Sequence, residues 1–347
     1  MPMDLESRGW RRVGKRDFRY VDALGRAITD ESSLARIRAL RVPPAWTRVR
    51  IAPSPRTKIQ AIGYDAKGRR QYRYHPDFVA VQSARKYAKL VAFVRHLPHF
   101  REKTTTHLHE EGLGRSRVLA LVTRLINEGC FRVGGERYAE ENGSHGISTL
   151  CVEHFSATPS SLRFAYVGKK GVQQKKVITD PEVVALMQDV AALPGKRLFQ
   201  YLGPDGELRT VTGREVNAYI KEVMGEAFSA KDFRTWGGTL MAARILAAYG
   251  PAQSERARKR NVTRCVRAVA HYLGNTPAIA RASYISPAVF EAYAAGKTLR
   301  DFLPRGKQRV RFKQQGYTEE EIELLRLLSV EPTHVTITLV ETELEVS

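Results

Sequence analysis

The sequence lacks the features that mark several large protein classes. Only three cysteines, Cys130, Cys151 and Cys265, occur in 347 residues, too few and too scattered for a disulfide framework or a cysteine zinc site. No apolar run approaches the roughly 20 residues that span a bilayer, and the first residues do not have the charged-then-apolar layout of a secretory signal. We therefore expect a protein of the reducing cytoplasm, with no membrane contact.

Cofactor motifs are scarce as well. Gly296-Lys297-Thr298 resembles the end of a P-loop, but Glu291 stands where the first glycine of the phosphate cradle is required. No GxGxxG follows a predicted strand, and no His/Cys cluster or dense acidic cluster has the spacing of a metal site. We expect no ATP, no nicotinamide, no metal and no other small-molecule cofactor.

Acidic residues are few in relation to basic ones. The chain has 57 Lys+Arg against 36 Asp+Glu, a net charge of +21. Residues 1–86 hold 20 basic and 8 acidic residues, whereas residues 318–347 hold 1 and 8. A cytoplasmic protein this basic usually binds a polyanion, and nucleic acid is the first candidate. A ribosome-associated or merely basic surface is the alternative.

The length predicts about two domains. Residues 1–86 contain short β-type segments separated by proline and glycine, which indicates a small, mostly β domain. Residues 87–302 are predicted to form a larger, mainly helical domain with a small antiparallel sheet, and residues 303–347 a C-terminal extension with an acidic end. A helix is expected near 77–95 and a polar loop over 101–114.

Periodicity indicates the elements of the larger domain. Apolar residues at helical spacing predict a helix from Arg115 to about Gly129. Segments 149–157, 161–168 and 172–179 alternate like strands, so Lys169 is expected at a hairpin tip. A helix over 254–273 is predicted to end at Gly274, and Pro277 to open the next helix, which carries Tyr284. A capping-box pattern predicts a late helix over 319–329.

Four stretches of this domain carry a resemblance to a known family. They are CFRVGGERY at 130–138, YVGKK at 166–170, KDFRTWG at 231–237, and LGNTP at 273–277 followed by ASY at 282–284. In this order and spacing the chain resembles the type IB DNA topoisomerases, specifically their short poxviral and bacterial form. The resemblance covers about residues 40–290.

The resemblance implies an α+β fold with a small, mostly β DNA-clamp domain and a mainly α-helical catalytic domain. It implies ATP-independent relaxation of duplex DNA by a bacterial, monomeric, nucleoid-associated enzyme. Tyr284 would attack the scissile phosphate and form a 3′-phosphotyrosine. Arg132 and Arg234 would stabilise the transition state, Lys169 would be the general acid, and Asn275 would donate a hydrogen bond to a phosphate oxygen. Many relatives have histidine at the position of Asn275, and asparagine cannot shuttle a proton near neutral pH.

The resemblance also implies DNA-contact residues. These are Gln71, Tyr72, Arg73 and Tyr74 in the first domain, and Arg137 and Tyr138 shortly after Arg132. In the absence of the resemblance, the alternating Arg and Tyr residues at 69–74 are equally consistent with a strand that has tyrosines on its core face.

Two alternatives stay open. Tyrosine recombinases or integrases share the fold of the catalytic half and its chemistry, although they typically have histidine three residues before the second arginine, where this chain has Lys231. The other alternative is a basic DNA-binding protein without catalytic activity, which would not depend on the hydroxyl group of Tyr284.

Overall fold

The computed structural model describes residues 5–15, 17–304, 313 and 316–329 and divides the chain into two compact units. The first unit runs to Tyr87 and the second begins at Ala88. The first is mostly β and the second mostly helical, which confirms the predicted α+β class. Within the described ranges, every helix is too short or too polar to cross a bilayer.

The first unit is built on a five-stranded antiparallel sheet with the order β2-β1-β3-β4-β5. Its strands are β1 Trp10–Val13, β2 Arg19–Val21, β3 Thr47–Ile51, β4 Ile59–Tyr64 and β5 Arg70–Tyr74, and its helices are α1 Leu5–Arg8 and α2 Glu31–Ala39. Alternation along the strands gives this sheet two apolar faces. One face packs Ile37 of α2 against Val49 and Ile51, and the other packs Leu5 against Ile62.

The next helix is longer than the sequence pattern predicts. Helix α3 runs from Pro76 to Leu108, so the loop expected over 101–114 is wrong in its first half. Phe100, Thr104 and Leu108 are buried at intervals of four residues and continue the apolar face established by Phe93 and Leu97. The hydroxyl group of Thr104 donates to the carbonyl oxygen of Phe100 at 2.8 Å, so its polar atom is satisfied inside the helix.

The second unit contains nine further described helices and two small antiparallel sheets. The helices are α4 Arg115–Gly129, α5 Glu136–Asn142, α6 Pro181–Ala191, α7 Gly213–Met224, α8 Ala230–Tyr249, α9 Glu255–Leu273, α10 Pro277–Tyr284, α11 Pro287–Ala294 and α12 Glu319–Ser329. The strands are β6 Phe155–Thr158, β7 Ser161–Val167 and β8 Gln173–Ile178 in one sheet, and β9 Gln200–Leu202 and β10 Leu208–Thr210 in the other.

Helix α8 is central to this unit because it packs against α4, α7, α9, α10, α11 and α12. Its first turn is fixed by Phe233, whose ring lies 4.9 Å from the rings of both Phe93 and Phe100. Asp232 forms a 2.8 Å ion pair with Lys89 on α3. These contacts hold the helix on which Arg234 lies.

Strand β6 begins later than predicted. The segment expected as a strand over 149–157 contains two 3-10 turns, Ile147–Thr149 and Val152–His154, before the strand starts at Phe155. The backbone N–H of Cys151 donates to Nδ1 of His154 at 3.0 Å, which stabilises the second turn. A local side-chain bond of this kind competes with strand pairing.

The last described helix, α12, packs against α8 and α11. Its buried Glu321 accepts two hydrogen bonds from Arg101 on α3, at 2.6 and 2.9 Å. A bidentate guanidinium–carboxylate pair is among the stronger polar contacts available to a protein. The predicted helix over 319–329 is thus confirmed and is integrated into the second unit.

Candidate active site

Three cationic side chains converge on the end of helix α9. Each donates a hydrogen bond to one of three successive backbone carbonyls. The pairs are Lys176 Nζ with Tyr272 O at 2.5 Å, Arg234 Nη2 with Leu273 O at 2.9 Å, and Arg132 Nη2 with Gly274 O at 2.9 Å. We call these three carbonyls the carbonyl array.

The carbonyl array follows from the way α9 ends. The last carbonyls of a helix have no partner inside the helix and carry the negative end of its dipole, so they attract cations. Gly274 has a φ of +61°, the left-handed conformation that reverses the chain at a helix end. Thr276 then caps α10 and Pro277 is its first residue, as the sequence predicts.

Arg234 is the most buried of the candidate catalytic residues, with 4% of its surface exposed. Besides Leu273, it donates through Nη1 to the carbonyl oxygen of Cys130, which caps α4 in a left-handed conformation. Its Nε is buried and has no hydrogen-bond partner among the described residues. A buried N–H without a partner is costly and therefore rare in proteins. Nε is available to donate to an acceptor that binds at the site.

Arg132 and Asn275 form a second part of the site. Arg132 donates to Oδ1 of Asn275 in addition to Gly274. Burial and the neighbouring Arg234 lower the pKa of Arg132 to about 10, which leaves it charged at neutral pH. In the described part of the chain, Nδ2 of Asn275 is buried and unpartnered. The site therefore presents two cations and two free donors.

Tyr284 is the last residue of α10 and is half-buried. The guanidinium carbon of Arg234 lies 5.1 Å from the centroid of its ring. Thr239 donates to the backbone carbonyl of Tyr284 at 3.3 Å, and a Cβ at Gly238 would lie 2.6 Å from that carbonyl oxygen. Glycine at 238 therefore allows α8 to approach the Tyr284 backbone closely.

Lys169 lies at the tip of the hairpin between β7 and β8, as predicted, and is exposed. Lys170 and Gly171, with φ of +64° and +74°, form the turn. The structure thus brings Arg132, Arg234, Asn275 and Tyr284 together and leaves Lys169 outside the carbonyl array.

Two family models match the chain. Eukaryotic DNA topoisomerase I, catalytic core, matches residues 75–308, which hold all five candidate catalytic residues. Bacterial DNA topoisomerase IB, N-terminal domain, matches residues 17–65. The first match covers more than half of the chain. The chain belongs to the type IB DNA topoisomerases.

Named relatives agree with this assignment. DNA topoisomerase 1B of Acanthamoeba polyphaga mimivirus is 32% identical over 267 residues, which cover 75% of this chain and 80% of the relative. DNA topoisomerase 1B of vaccinia virus (strain Copenhagen) is 22% identical over 244 residues, covering 68% and 72%. DNA topoisomerase 1 of Daucus carota is 29% identical over 128 residues, covering 36% and 15%. The chain is a topoisomerase enzyme, and the recombinase and non-catalytic alternatives are set aside.

The predicted DNA-contact residues of the topoisomerase differ in their surroundings. On β5, Tyr72 and Tyr74 are exposed on one face and stack with centroids 5.8 Å apart. Gln71 and Arg73 lie on the other face, where Gln71 donates to Asp65 at 3.0 Å and Arg73 donates to the carbonyl of Arg41 at 2.9 Å. The two tyrosines are therefore partly exposed, although Tyr74 also contacts Phe78 and Tyr72 lies beside Arg70, while Gln71 and Arg73 are bonded within their unit.

The other two predicted contacts lie on α5. Arg137 is exposed and pairs with Glu141 at 2.7 Å, and exposed ion pairs of this kind contribute little to stability. Tyr138 is 60% exposed. The roles of all six DNA-contact residues stay predictions.

Sequence reasoning missed Lys176 and Tyr272. The alternation of β8 places positions 174, 176 and 178 on its buried face, and this signal could have singled out a lysine at 176. Tyr272 holds Lys176 through its carbonyl and its ring, and its hydroxyl group donates to the carbonyl of Glu128 at 3.0 Å. Both residues therefore lie next to the carbonyls that bind Arg234 and Arg132.

One cluster of the described residues has metal-ligand chemistry. Cys151, Glu153 and His154 each offer an atom within 4.8 Å of the other two. Nδ1 of His154, however, already accepts the N–H of Cys151 in the 3-10 turn. A metal ion at Nδ1 would have to displace this hydrogen bond. We derive no catalytic step from the cluster.

A carboxyl pair lies behind the site. Glu128 near the end of α4 shares a hydrogen bond with Asp180, which is itself paired with Arg124 at 2.6 Å. Burial, followed by the hydrogen bond and the negative charge of Asp180, raises the pKa of Glu128 to about 8. The folded protein thus holds a proton at Glu128 that the unfolded chain loses near pH 4.5.

This pair predicts a pH-dependent gain of stability on replacement. Because the unfolded state binds fewer protons between pH 4.5 and about 8, the ionisable Glu128 lowers the stability progressively over that window. We expect Glu128→Gln to have a Tm close to the wild type near pH 5 and several degrees above it at pH 8.5. Thermal melts over this pH range, with the exposed Glu140→Gln as control, test the prediction. A difference in Tm that does not change with pH would contradict it.

Proposed function

We propose that this topoisomerase relaxes supercoiled duplex DNA by cutting one strand through a 3′-phosphotyrosyl intermediate on Tyr284 and then resealing it, without ATP or a metal ion. The observation that carries the proposal is the set of free donors beside Tyr284. Within the described residues, Arg234 Nε and Asn275 Nδ2 are buried without partners, next to two charged guanidinium groups. Such a set suits a phosphodiester anion.

In the proposed cleavage step, the phenolic oxygen of Tyr284 bonds to the scissile phosphorus as the phenol releases its proton. The bond from phosphorus to the 5′-oxygen breaks, and that oxygen takes a proton to become a free hydroxyl group. Arg132 and Arg234 stabilise the charge on the non-bridging oxygens of the pentacoordinate transition state, and Asn275 donates a hydrogen bond to one of them. Positively charged side chains thus supply the charge stabilisation that metals provide in other phosphoryl-transfer enzymes.

Resealing is the reverse reaction, with the 5′-hydroxyl group attacking the phosphotyrosine. Because the phosphotyrosine retains the energy of the broken bond, no external energy source is needed. Between the two steps the downstream duplex can rotate about the intact strand, which removes supercoils of either sign. The proposal therefore requires no nucleotide.

We propose that the partner is duplex DNA and that a single copy of the chain binds it. The net charge of +21 and the stacked, exposed Tyr72 and Tyr74 support this proposal. Tyrosine rings can pack against sugars or bases, while Arg137 can contact phosphate.

We propose Lys169 as the acid that protonates the leaving 5′-oxygen; its exposed position at a hairpin tip leaves the ammonium group accessible to a substrate. Lys169→Ala is expected to slow cleavage of ordinary DNA by about 10²–10⁴-fold, the usual contribution of a general acid. A 5′-bridging sulfur leaves without protonation, so cleavage of that substrate should largely recover. The measurement is single-turnover cleavage of both substrates, with Lys175→Ala as control. A variant that stays equally slow on the sulfur substrate would show that Lys169 is not the acid.

The proposal as a whole is tested by relaxation of a supercoiled plasmid in EDTA without ATP, followed by trapping with denaturant. The expected result is a ladder of relaxed topoisomers and a covalent adduct at the 3′ end of the cut strand, which peptide mapping places on Tyr284. Relaxation that requires a nucleotide or a divalent ion would overturn the mechanism, as would an adduct at the 5′ end.

A further inference from the structure

Lys176 is a lysine in an unusual place. It lies on β8 with 4% of its surface exposed, and its ammonium group is 3.9 Å from the centroid of the Tyr272 ring. Lysine is almost never this buried unless its charge is matched. In the described part of the chain no carboxylate forms an ion pair with it, and its hydrogen bond goes to the carbonyl of Tyr272.

The carbonyl that Lys176 binds lies next to the carbonyls that bind the two arginines. It is the first of the carbonyl array, whose second and third members hold Arg234 and Arg132. One helix end thus fixes three cations side by side. Lys176 stabilises the end of α9 by satisfying a carbonyl that has no partner inside the helix.

The groups that face Lys176 come from several elements. The thiol of Cys130 comes from the end of α4, Arg132 from the segment after it, Arg234 from α8, and Tyr272 from α9. Burial, together with charge repulsion from Arg234 and Arg132, lowers the pKa of Lys176 to about 8, although Cys130 acts in the opposite direction. At neutral pH the lysine is mostly charged. Keeping this charge buried costs free energy in the protein without DNA.

We propose that Lys176 is a positioning residue for strand cleavage, which holds the end of α9 and adds a third positive charge behind the two arginines that receive the phosphate. The inference rests on the proposed function. A phosphodiester gains negative charge on its non-bridging oxygens as it reaches the transition state, so a fixed cation nearby stabilises the transition state more than the ground state. The repulsion among the three cations is relieved when the anion binds.

The test is single-turnover cleavage of a suicide substrate by excess enzyme, measured from pH 6 to pH 9.5. Lys176→Met keeps the length and apolar stem of the side chain but removes the charge. We expect cleavage by this variant to be about tenfold slower than the wild type near pH 6. The wild-type advantage should shrink above pH 9, with a midpoint near 8, because the wild-type lysine is then neutral and keeps only its hydrogen bond to the Tyr272 carbonyl. Comparing the two rates at each pH cancels every other titration that they share.

Three further measurements separate positioning from simple packing. The exposed neighbour Lys175→Met should cleave like the wild type at every pH. Lys176→Met should melt close to the wild type, since the lost hydrogen bond to the Tyr272 carbonyl is offset by removal of a buried charge. Lys176→Arg should retain its advantage over the methionine variant above pH 9, because guanidinium stays charged.

Several outcomes would overturn the inference. One is a wild-type advantage over Lys176→Met that does not change with pH, and another is equal cleavage by both proteins near pH 6. A third is a lower Tm with a matching loss of rate at every pH, which would make Lys176 a packing residue. A wild-type protein that forms no covalent adduct at any pH would instead contradict the proposed function, so the two failures are distinguishable.

Discussion

Replacement of Tyr284 by Phe is expected to abolish relaxation and leave DNA binding intact. The change removes one oxygen atom, while the ring can still pack beside Arg234 and the backbone contacts with Thr239 and Gly238 remain. Removal of a covalent nucleophile costs an enzyme about 10⁴–10⁶ in rate, which for relaxation means no detectable product. The variant should therefore lose the cleavage step and keep its fold.

Plasmid relaxation and filter binding on the same preparations measure the two effects separately. Tyr249→Phe is the matched control, because Tyr249 is a partly exposed tyrosine at the end of α8, away from the carbonyl array. Relaxation by the Tyr284→Phe variant, or a covalent adduct that still forms on it, would assign the nucleophile to another residue.

Removal of Arg234 is expected to have the second-largest effect. Arg234→Ala deletes a charge and the free Nε donor, and we expect cleavage to slow by about 10²–10³-fold, the cost of losing a preorganised donor to a transition state. Because cleavage and resealing pass through the same pentacoordinate transition state, both rates should fall by the same factor. The cleavage equilibrium should stay close to that of the wild type.

Rapid-quench cleavage and resealing assays determine both rates, and Arg244→Ala provides an exposed arginine on the same helix as control. Thermal melts are needed as well, since the variant leaves the carbonyls of Cys130 and Leu273 without their donor. If only one of the two rates fell, Arg234 would be acting on the substrate or the adduct instead of on the transition state.

The sequence predicted much of this arrangement because its motifs coincide with helix ends. LGNTP at 273–277 contains the residues that end α9 and begin α10, and both boundaries can be read from the glycine and the proline. The same reasoning placed Lys169 at a hairpin tip. Local rules of this kind depend on a few neighbouring residues, so one sequence is enough to apply them.

Other features depended on contacts between distant residues. The extension of α3 beyond position 95 is stabilised by Phe100 packing on Phe233, which is more than 130 positions away in the chain. The carbonyl array joins β8 to the end of α9 and could not be inferred from the spacing of either element. The burial of Arg234 is likewise a tertiary effect, since α8 is surrounded by other helices.

The match to the catalytic-core family ends at residue 308, yet the contacts of the active-site helix continue beyond it. Glu321 on α12 binds Arg101, and α12 packs against α8, the helix on which Arg234 lies. A chain shortened to the shared segment would leave the Arg101 guanidinium without its carboxylate. We therefore expect that a chain cut after residue 308 loses packing support for α8, the helix on which Arg234 lies.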